Sequence, residues 1–566
     1  VSSSNGSSNN QSSGSTTNPS NSDTTQSSGG SGITNPPNSS TSHSSRPSGA
    51  TNSPRDDTTN SPTDSTKSSG SGSSANPSNY DDRSSASSQG GTNFTPSSDN
   101  DTVQISDDDT TKRSHLDIAA SLTSASSSQQ QFENSSSESA EFNGVAKLEE
   151  SFTRQFEKYL GRATQSAAVT LADARDTLQN IEESTGVKPA LIYVTFVPPL
   201  SVSDEANGSL STVDSPDSQS QTPQDQLELV LVTSKGSPIR VRVARTTRQQ
   251  VLKFANQFLS NVTNARSGLE YLSPARQLYQ WMVAPLEADL KARGIQNLTF
   301  IMDTGLRSLP IAALYDGREF LVEKYSIGLM PSLTLTDTHY RDIRNMQVLA
   351  MGAEKFSDRP PLPAVPVELS TITPSLWQGK SFLNDAFTLE NLKAQRQQHP
   401  FGIIHLATHA NFQAGAPSNS YIELWDTKLR LDQLSGLGWN KPPVELLVLS
   451  ACRTALGNQQ AELGFAGLAV QAGVKSAIAS LWSISDEGTL GLMSQLYQQL
   501  KRSPIKAEAL RQAQIAMIKG QVQLKAGNLV TDNKSIPLPP ELAKLANKDF
   551  SHPYFWAGFT IVGSPW

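Results

Sequence analysis

Apolar residues recur at helical spacing at Leu148, Phe152, Phe156 and Tyr159, and again at Leu171, Ala174, Leu178 and Ile181. Each run closes on a glycine, Gly161 or Gly186, so the pattern predicts two helices. The period then changes. Stretches rich in aliphatic and β-branched residues over 190–197, 227–233 and 239–244 read as strands, the last two flanking Lys235-Gly236 as a hairpin, with an acidic Ser/Pro-rich loop over 201–225 between the first and that hairpin. Helices follow over 246–261 and 273–293, the second kinked at Pro285, and strands over 299–302 and 320–328.

From residue 346 strand and helix alternate, which predicts a parallel sheet with right-handed crossovers. The strands are 347–352, 401–407, 444–450, 475–482 and, at the sheet edge, 554–562. The helices are 367–376, 387–398 with Thr388 near its start, 466–472 ended by Gly473, 487–501 and 504–519. Gly457, Gly464 and Gly467 suit a loop entering a helix. No repeat of 20 to 50 residues occurs, so the chain is not a solenoid. The expected class is α/β, a mostly parallel sheet flanked by helices. An α+β region over 141–345 precedes the strand–helix part over 346–566.

Composition changes this picture at one end. Residues 1–140 are dominated by Ser, Asn, Gly, Thr and Asp, with no aromatic before Tyr80. Such a segment cannot bury enough apolar surface to offset its ordering entropy, so it is expected to be a disordered N-terminal tail. The net charge of −7 and the pI near 5.6 argue against nucleic acid as a partner, and no basic stripe contradicts them. No run of 18 or more apolar residues occurs, so no membrane span is expected. The chain opens on Val rather than Met, which fits either a fragment or a product trimmed of an export signal. The compartment stays open.

Two of the strands lead to distinctive chemistry. The run 444–450 leads to Cys452, the single cysteine in 566 residues, and the run 401–407 leads to His409. A thiol at the mouth of one buried strand and an imidazole at the end of another, on the same edge of a parallel sheet, suit a cysteine nucleophile with its base. A lone cysteine is commonly a small buried hydrophobe; the polar Arg453-Thr454 that follow favour the exposed strand end instead. His405 and His409 would lie about 13 Å apart along a strand and cannot share one metal ion. His405 is therefore read as a packed strand residue, and no metal or other cofactor is expected. Asp486, just past the strand 475–482, is either a helix cap in competition with Ser485 or the acidic floor of a pocket for a basic side chain.

Taken in order, four blocks resemble the CHAT domain, a branch of the caspase-like cysteine peptidases with separase and the gingipains as distant relatives. They are His405-Leu406-Ala407-Thr408-His409, Leu449 to Ala455, Leu481 to Asp486, and His552-Pro553-Tyr554-Phe555-Trp556. The likeness to cyanobacterial CHAT proteins extends through Asp303 to Pro310. The resemblance implies a caspase-like fold and an endopeptidase with Cys452 as nucleophile and His409 as catalytic imidazole. It also implies an oxyanion hole from the backbone N–H groups of Ala410 and Cys452, and Asp486 as receiver of a basic P1 side chain. A protein or peptide substrate, and room for a regulatory protein partner, follow from it. The alternative is a non-catalytic interaction or signalling module of the same fold. Relatives commonly carry glycine where this chain has Ala410; if the position needs φ > 0, alanine would strain it or reshape the hole. No tetratricopeptide array, common ahead of such domains, is visible here.

Overall fold

The computed structural model describes residues 144–161, 167–199, 221–450, 453–454, 458–531 and 534–566. The expected tail over 1–140, most of the 201–225 loop and Cys452 lie outside the described residues.

A helix over 144–160 leads in, burying Leu148, Phe152 and Phe156, and Gly161 ends it at φ +65°. The next helix, Leu171–Thr185, starts on a capping box in which Thr170 and Asp173 satisfy each other's backbone N–H. It stops at Gly186 (φ +72°), a left-handed cap open to glycine at no steric cost, and buries the four residues its spacing marks.

Along the chain the strands are β1 (Pro189–Val197), β2 (Gln226–Thr233), β3 (Ile239–Thr247), β4 (Asn297–Met302), β5 (Ser326–Leu329), β6 (Val348–Gly352), β7 (Gly379–Leu383) and β8 (Ile403–Ala407). Short strands follow at β9 (Ala410–Phe412), β10 (Tyr421–Glu423) and β11 (Lys428–Arg430), then β12 (Leu446–Ser450), β13 (Arg453–Thr454) and β14 (Ser476–Ser480). The last are β15 (Gln523–Lys525), β16 (Asn528–Thr531), β17 (Lys534–Pro537), β18 (Lys548–Asp549) and β19 (Phe559–Gly563).

Eleven of these form one sheet in the order β3-β2-β1-β4-β5-β19-β14-β12-β8-β6-β7. Every pairing is parallel except β3–β2, β2–β1 and β19–β14. The α/β class with a mostly parallel sheet flanked by helices is what the alternation from residue 346 predicts. β8 and β12 are buried along their whole lengths, as continuous aliphatic runs require in a sheet covered on both faces. Two smaller four-stranded sheets, β11-β10-β9-β13 and β17-β16-β15-β18, are additions that the hydrophobic pattern does not announce. Among the described residues no helix is long and apolar enough to cross a membrane.

Four expectations need correction. The stretch 554–562 is not an edge strand: Pro553–Trp556 is a helical turn, and β19 sits mid-sheet, parallel to β5 and antiparallel to β14. The stretch 320–328 is a strand only from Ser326, because the Glu323 carboxylate accepts the Phe320 N–H at 2.8 Å and closes a helical turn over Leu321–Lys324. The helix expected over 367–376 is regular over Val365–Ser370 and irregular beyond. Thr373, which precedes Pro374, takes extended dihedrals (φ −128°, ψ 129°). Gly464 lies inside a helix, Gln459–Ala466, rather than in a loop; a Cβ there would stand 2.9 Å from the Tyr159 hydroxyl, so glycine lets the 144–160 helix pack close. The kink at Pro285 is as expected, with the helices Leu272–Met282 and Glu287–Ala292 on either side of it.

Candidate functional site

β8 and β12 are hydrogen-bonded neighbours in parallel, with Ser450 opposite Ala407. The chain past β8 is tied on both sides. Thr408 N–H donates to the Ser450 carbonyl (3.2 Å), and its hydroxyl donates to the Glu423 carbonyl (2.6 Å). The His409 carbonyl accepts the Glu423 N–H at 2.8 Å. The main chain around His409 is thus held by two other strands. Beyond it, β13 runs parallel to β9 with Arg453 opposite Asn411.

The His409 imidazole is half-buried at the sheet's edge. Its Nε2 lies 2.9 Å from the Pro360 carbonyl oxygen. A carbonyl only accepts, so Nε2 carries a proton here, and of the two neutral tautomers the one consistent with this contact has Nδ1 as the lone pair. Phe356 packs on the ring at 4.6 Å between centroids, tilted 60°. Both partners come from the loop after β6, at the carboxyl ends of the parallel strands, where open α/β sheets place their sites.

A cleft of about 190 Å³ opens here, lined among others by Arg359, Pro360, His409, Ala410, Tyr421, Glu423 and Ile484. Glu423 is 7% exposed, with Oε2 3.6 Å from Arg359 Nε and Oε1 3.5 Å from Lys428 Nζ. An Arg359 terminal nitrogen donates to the Tyr421 hydroxyl. Ala410 is buried in β9 opposite Ile422; the described non-glycine residues with positive φ are Arg245, Asn384 and Ala526, so alanine is not strained at 410.

Asp486 opens the helix Asp486–Leu500, but the cap is Ser485, whose hydroxyl accepts the Gly488 N–H. The Asp486 carboxylate instead accepts the Ala364 N–H at 2.5 Å and is not among the residues that line the cleft, although Ser483 and Ile484, just before it in the chain, are. Burial pushes its pKa up to about 7, against the opposing Ala364 N–H. His405 is a packed strand residue: it is fully buried, with Nε2 2.9 Å from Glu368 Oε1 and Nδ1 3.1 Å from the Tyr497 hydroxyl. Among the described residues no group of three or more His, Cys, Asp or Glu is arranged to hold a metal ion.

The sequence reading missed Pro360, Arg359 and Glu423. The run Arg359-Pro360-Pro361-Leu362-Pro363, separated by six residues from a buried strand, was an available signal for a stiff loop at the site edge.

The CHAT domain family matches residues 272–564 of the chain. No curated protein matches it. Among solved structures the chain is similar to separase of Saccharomyces cerevisiae in its complex with securin, at 9% identity and a TM-score of 0.37 over 70% of this chain and 32% of that one. It therefore spans about a third of the yeast separase chain. It is also similar to RgpB of Porphyromonas gingivalis, in the complex of its pro- and mature domains, at 10% identity and a TM-score of 0.31 over 56% of this chain and 75% of that one.

Proposed function

The chain belongs to the CHAT domain family, and from that premise we propose that it is a cysteine endopeptidase in which His409 activates Cys452. One observation carries the reading: the register that brackets Cys452. Ser450 stands opposite Ala407 and Arg453 opposite Asn411. The two residues between on one side are Ala451 and Cys452; on the other they are Thr408, His409 and Ala410. The described residues flanking position 452 thus pair with the residues flanking His409, and this supports the reading of the two as partners.

The Pro360 carbonyl fixes the tautomer needed. With Nε2–H engaged, Nδ1 takes the thiol proton, the thiolate attacks the scissile carbonyl carbon, and the imidazolium returns the proton to the leaving amine. Backbone N–H groups of Ala410 and Cys452 hold the oxyanion, and water releases the acyl-enzyme. No cofactor is required. A protein or peptide substrate enters the cleft beside His409. The expected result with an irreversible peptidyl thiol reagent is stoichiometric labelling of Cys452 that the His409→Ala protein resists. Labelling no faster than that of a free thiol would mark a shut, non-catalytic module.

Asp486 is the proposed receiver of a basic P1 side chain. Its carboxyl is neutral below about pH 7 and anionic above. The ratio of kcat/KM for Arg over Leu at P1 should therefore rise through pH 7, by about ten- to a hundredfold in total. Asp486→Asn should flatten that rise. A pH-independent ratio in the wild type, or an undiminished one in Asp486→Asn, leaves Asp486 with only its contact to Ala364.

A further inference from the structure

The acidic group that lines the cleft itself is Glu423, and its surroundings describe a cation site already half-used. A buried carboxylate needs a cation or hydrogen-bond donors to offset its desolvation. Neither cation near Glu423 meets that need well. Arg359 Nε at 3.6 Å and Lys428 Nζ at 3.5 Å are beyond good hydrogen-bond length. Glu423 Oε2 and Arg359 Nε are both buried polar atoms without a hydrogen bond. A guanidinium free to orient would instead make two short parallel bonds to a carboxylate.

The two partners also differ in how firmly they are held. Glu423 ends β10, which pairs with β9 on one side and β11 on the other, and its N–H is bound to the His409 carbonyl. Arg359 sits on the loop after β6, and its head group is tethered by the Tyr421 hydroxyl. The carboxylate is the fixed element and the guanidinium the displaceable one.

We propose that Glu423 is a specificity-determining carboxylate of the cleft, that it takes the guanidinium of a substrate arginine, and that Arg359 occupies its place in the resting protein. This rests on the reading of the cleft as the peptide's entry. Glu423 sits beside His409 through the β9–β10 pairing, so a side chain bound to it belongs to a residue next to P1, whose own side chain is assigned to Asp486. Incoming arginine exchanges one cation for another; Arg359 swings out to water, and the buried carboxylate is never left bare. Neutral and acidic side chains cannot make that exchange, because Arg359 would stay in place or Glu423 would repel them.

The test uses the full-length protein and agmatine, a guanidinium without a peptide, so binding is read by calorimetry whether or not the protein cleaves anything. Arg359→Ala removes the competitor and Tyr421→Phe loosens it; each should tighten agmatine binding, Arg359→Ala by about tenfold. Glu423→Gln keeps the volume and should weaken it by at least as much. In cleavage assays the same variants should move the Arg-to-Leu ratio of kcat/KM at a position next to P1 in the same directions, with the ratio at P1 left to Asp486. Should Glu423→Gln fail to fold, Arg359→Ala and Tyr421→Phe still decide the matter. Unchanged or weaker agmatine binding in Arg359→Ala, or wild-type binding in Glu423→Gln, overturns the proposal. So does glutarate binding that Arg359→Ala abolishes, since it would make Arg359 the reading group and the preferred side chain acidic. Absence of cleavage alongside the expected agmatine shifts would instead count against the peptidase reading and leave the cation site standing.

Discussion

Replacing His409 by alanine is expected to lower kcat/KM for peptide cleavage by about 10²–10⁴-fold, the range that a positioned general acid–base supplies, while the melting temperature stays close to that of the wild type. The imidazole is half-buried, and its neighbours are one carbonyl and one ring face. Its loss exposes the Pro360 carbonyl to water rather than stranding it in a core, so the structural cost stays small. Cys452→Ala should lose activity at least as completely, because no other cysteine exists in the chain to replace the nucleophile. The double variant should be no worse than either single one, as expected of groups that act as a unit. Wild-type turnover in His409→Ala would move the imidazole's role elsewhere and dissolve the pair.

The opposite outcome is expected four residues earlier. His405→Ala should destabilise the fold by about 2–5 kcal/mol, the combined cost of a buried cavity and of polar groups left without their neighbour. The imidazole spans two helices from its place on β8. Its Nε2 faces Glu368, 1% exposed on the helix Val365–Ser370, and its Nδ1 faces the Tyr497 hydroxyl on the helix Asp486–Leu500. Alanine leaves both polar groups inside the protein with a cavity between them. Replacing Glu368 by phenylalanine together with His405→Ala should recover part of the loss, since the new ring fills the cavity and removes the stranded carboxyl group. Chemical denaturation of the single and double variants reads both effects. A His405→Ala protein as stable as the wild type would mean that water satisfies Glu368 and Tyr497 unaided.

The contrast between these two histidines was legible in the sequence, and the reason is physical. His405 sits inside a short aliphatic run, where a strand covered on both faces must bury it, and His409 lies beyond the run's end. The parallel core, the helix stops at Gly186 and Gly473 and the break at Pro285 were legible on the same grounds, from periodicity and backbone chemistry. The small sheet that fixes the main chain around His409 was not. Its strands are two or three residues long, with burial too brief to set up a period. The Pro360 contribution is a carbonyl oxygen, a group every residue has, so residue type cannot reveal it. Glu423 reads from sequence as one more charge beside Lys428 and Arg430; only the pairing of β10 with β9 turns it toward the cleft. Asp486 was singled out from its position past a strand, but its engagement with Ala364 depends on a segment 122 residues away in the chain.

The central place of β19 bears on how the molecule comes into being. It is the last strand of the large sheet in chain order, yet it separates β5 from β14, pairing Val562 with Leu329 and Ala477. Until residue 563 is available, the emerging chain can assemble β3-β2-β1-β4-β5 and β14-β12-β8-β6-β7 only as two separate ribbons. Each then presents an unpaired inner edge of apolar strand, the kind of surface that templates association between chains. Closing the gap requires a contact of very long sequence separation, which slows the final step relative to the local ones. The half that carries His409 can therefore be built early, but a partly synthesised or clipped chain would be a sticky, open intermediate rather than a finished fold.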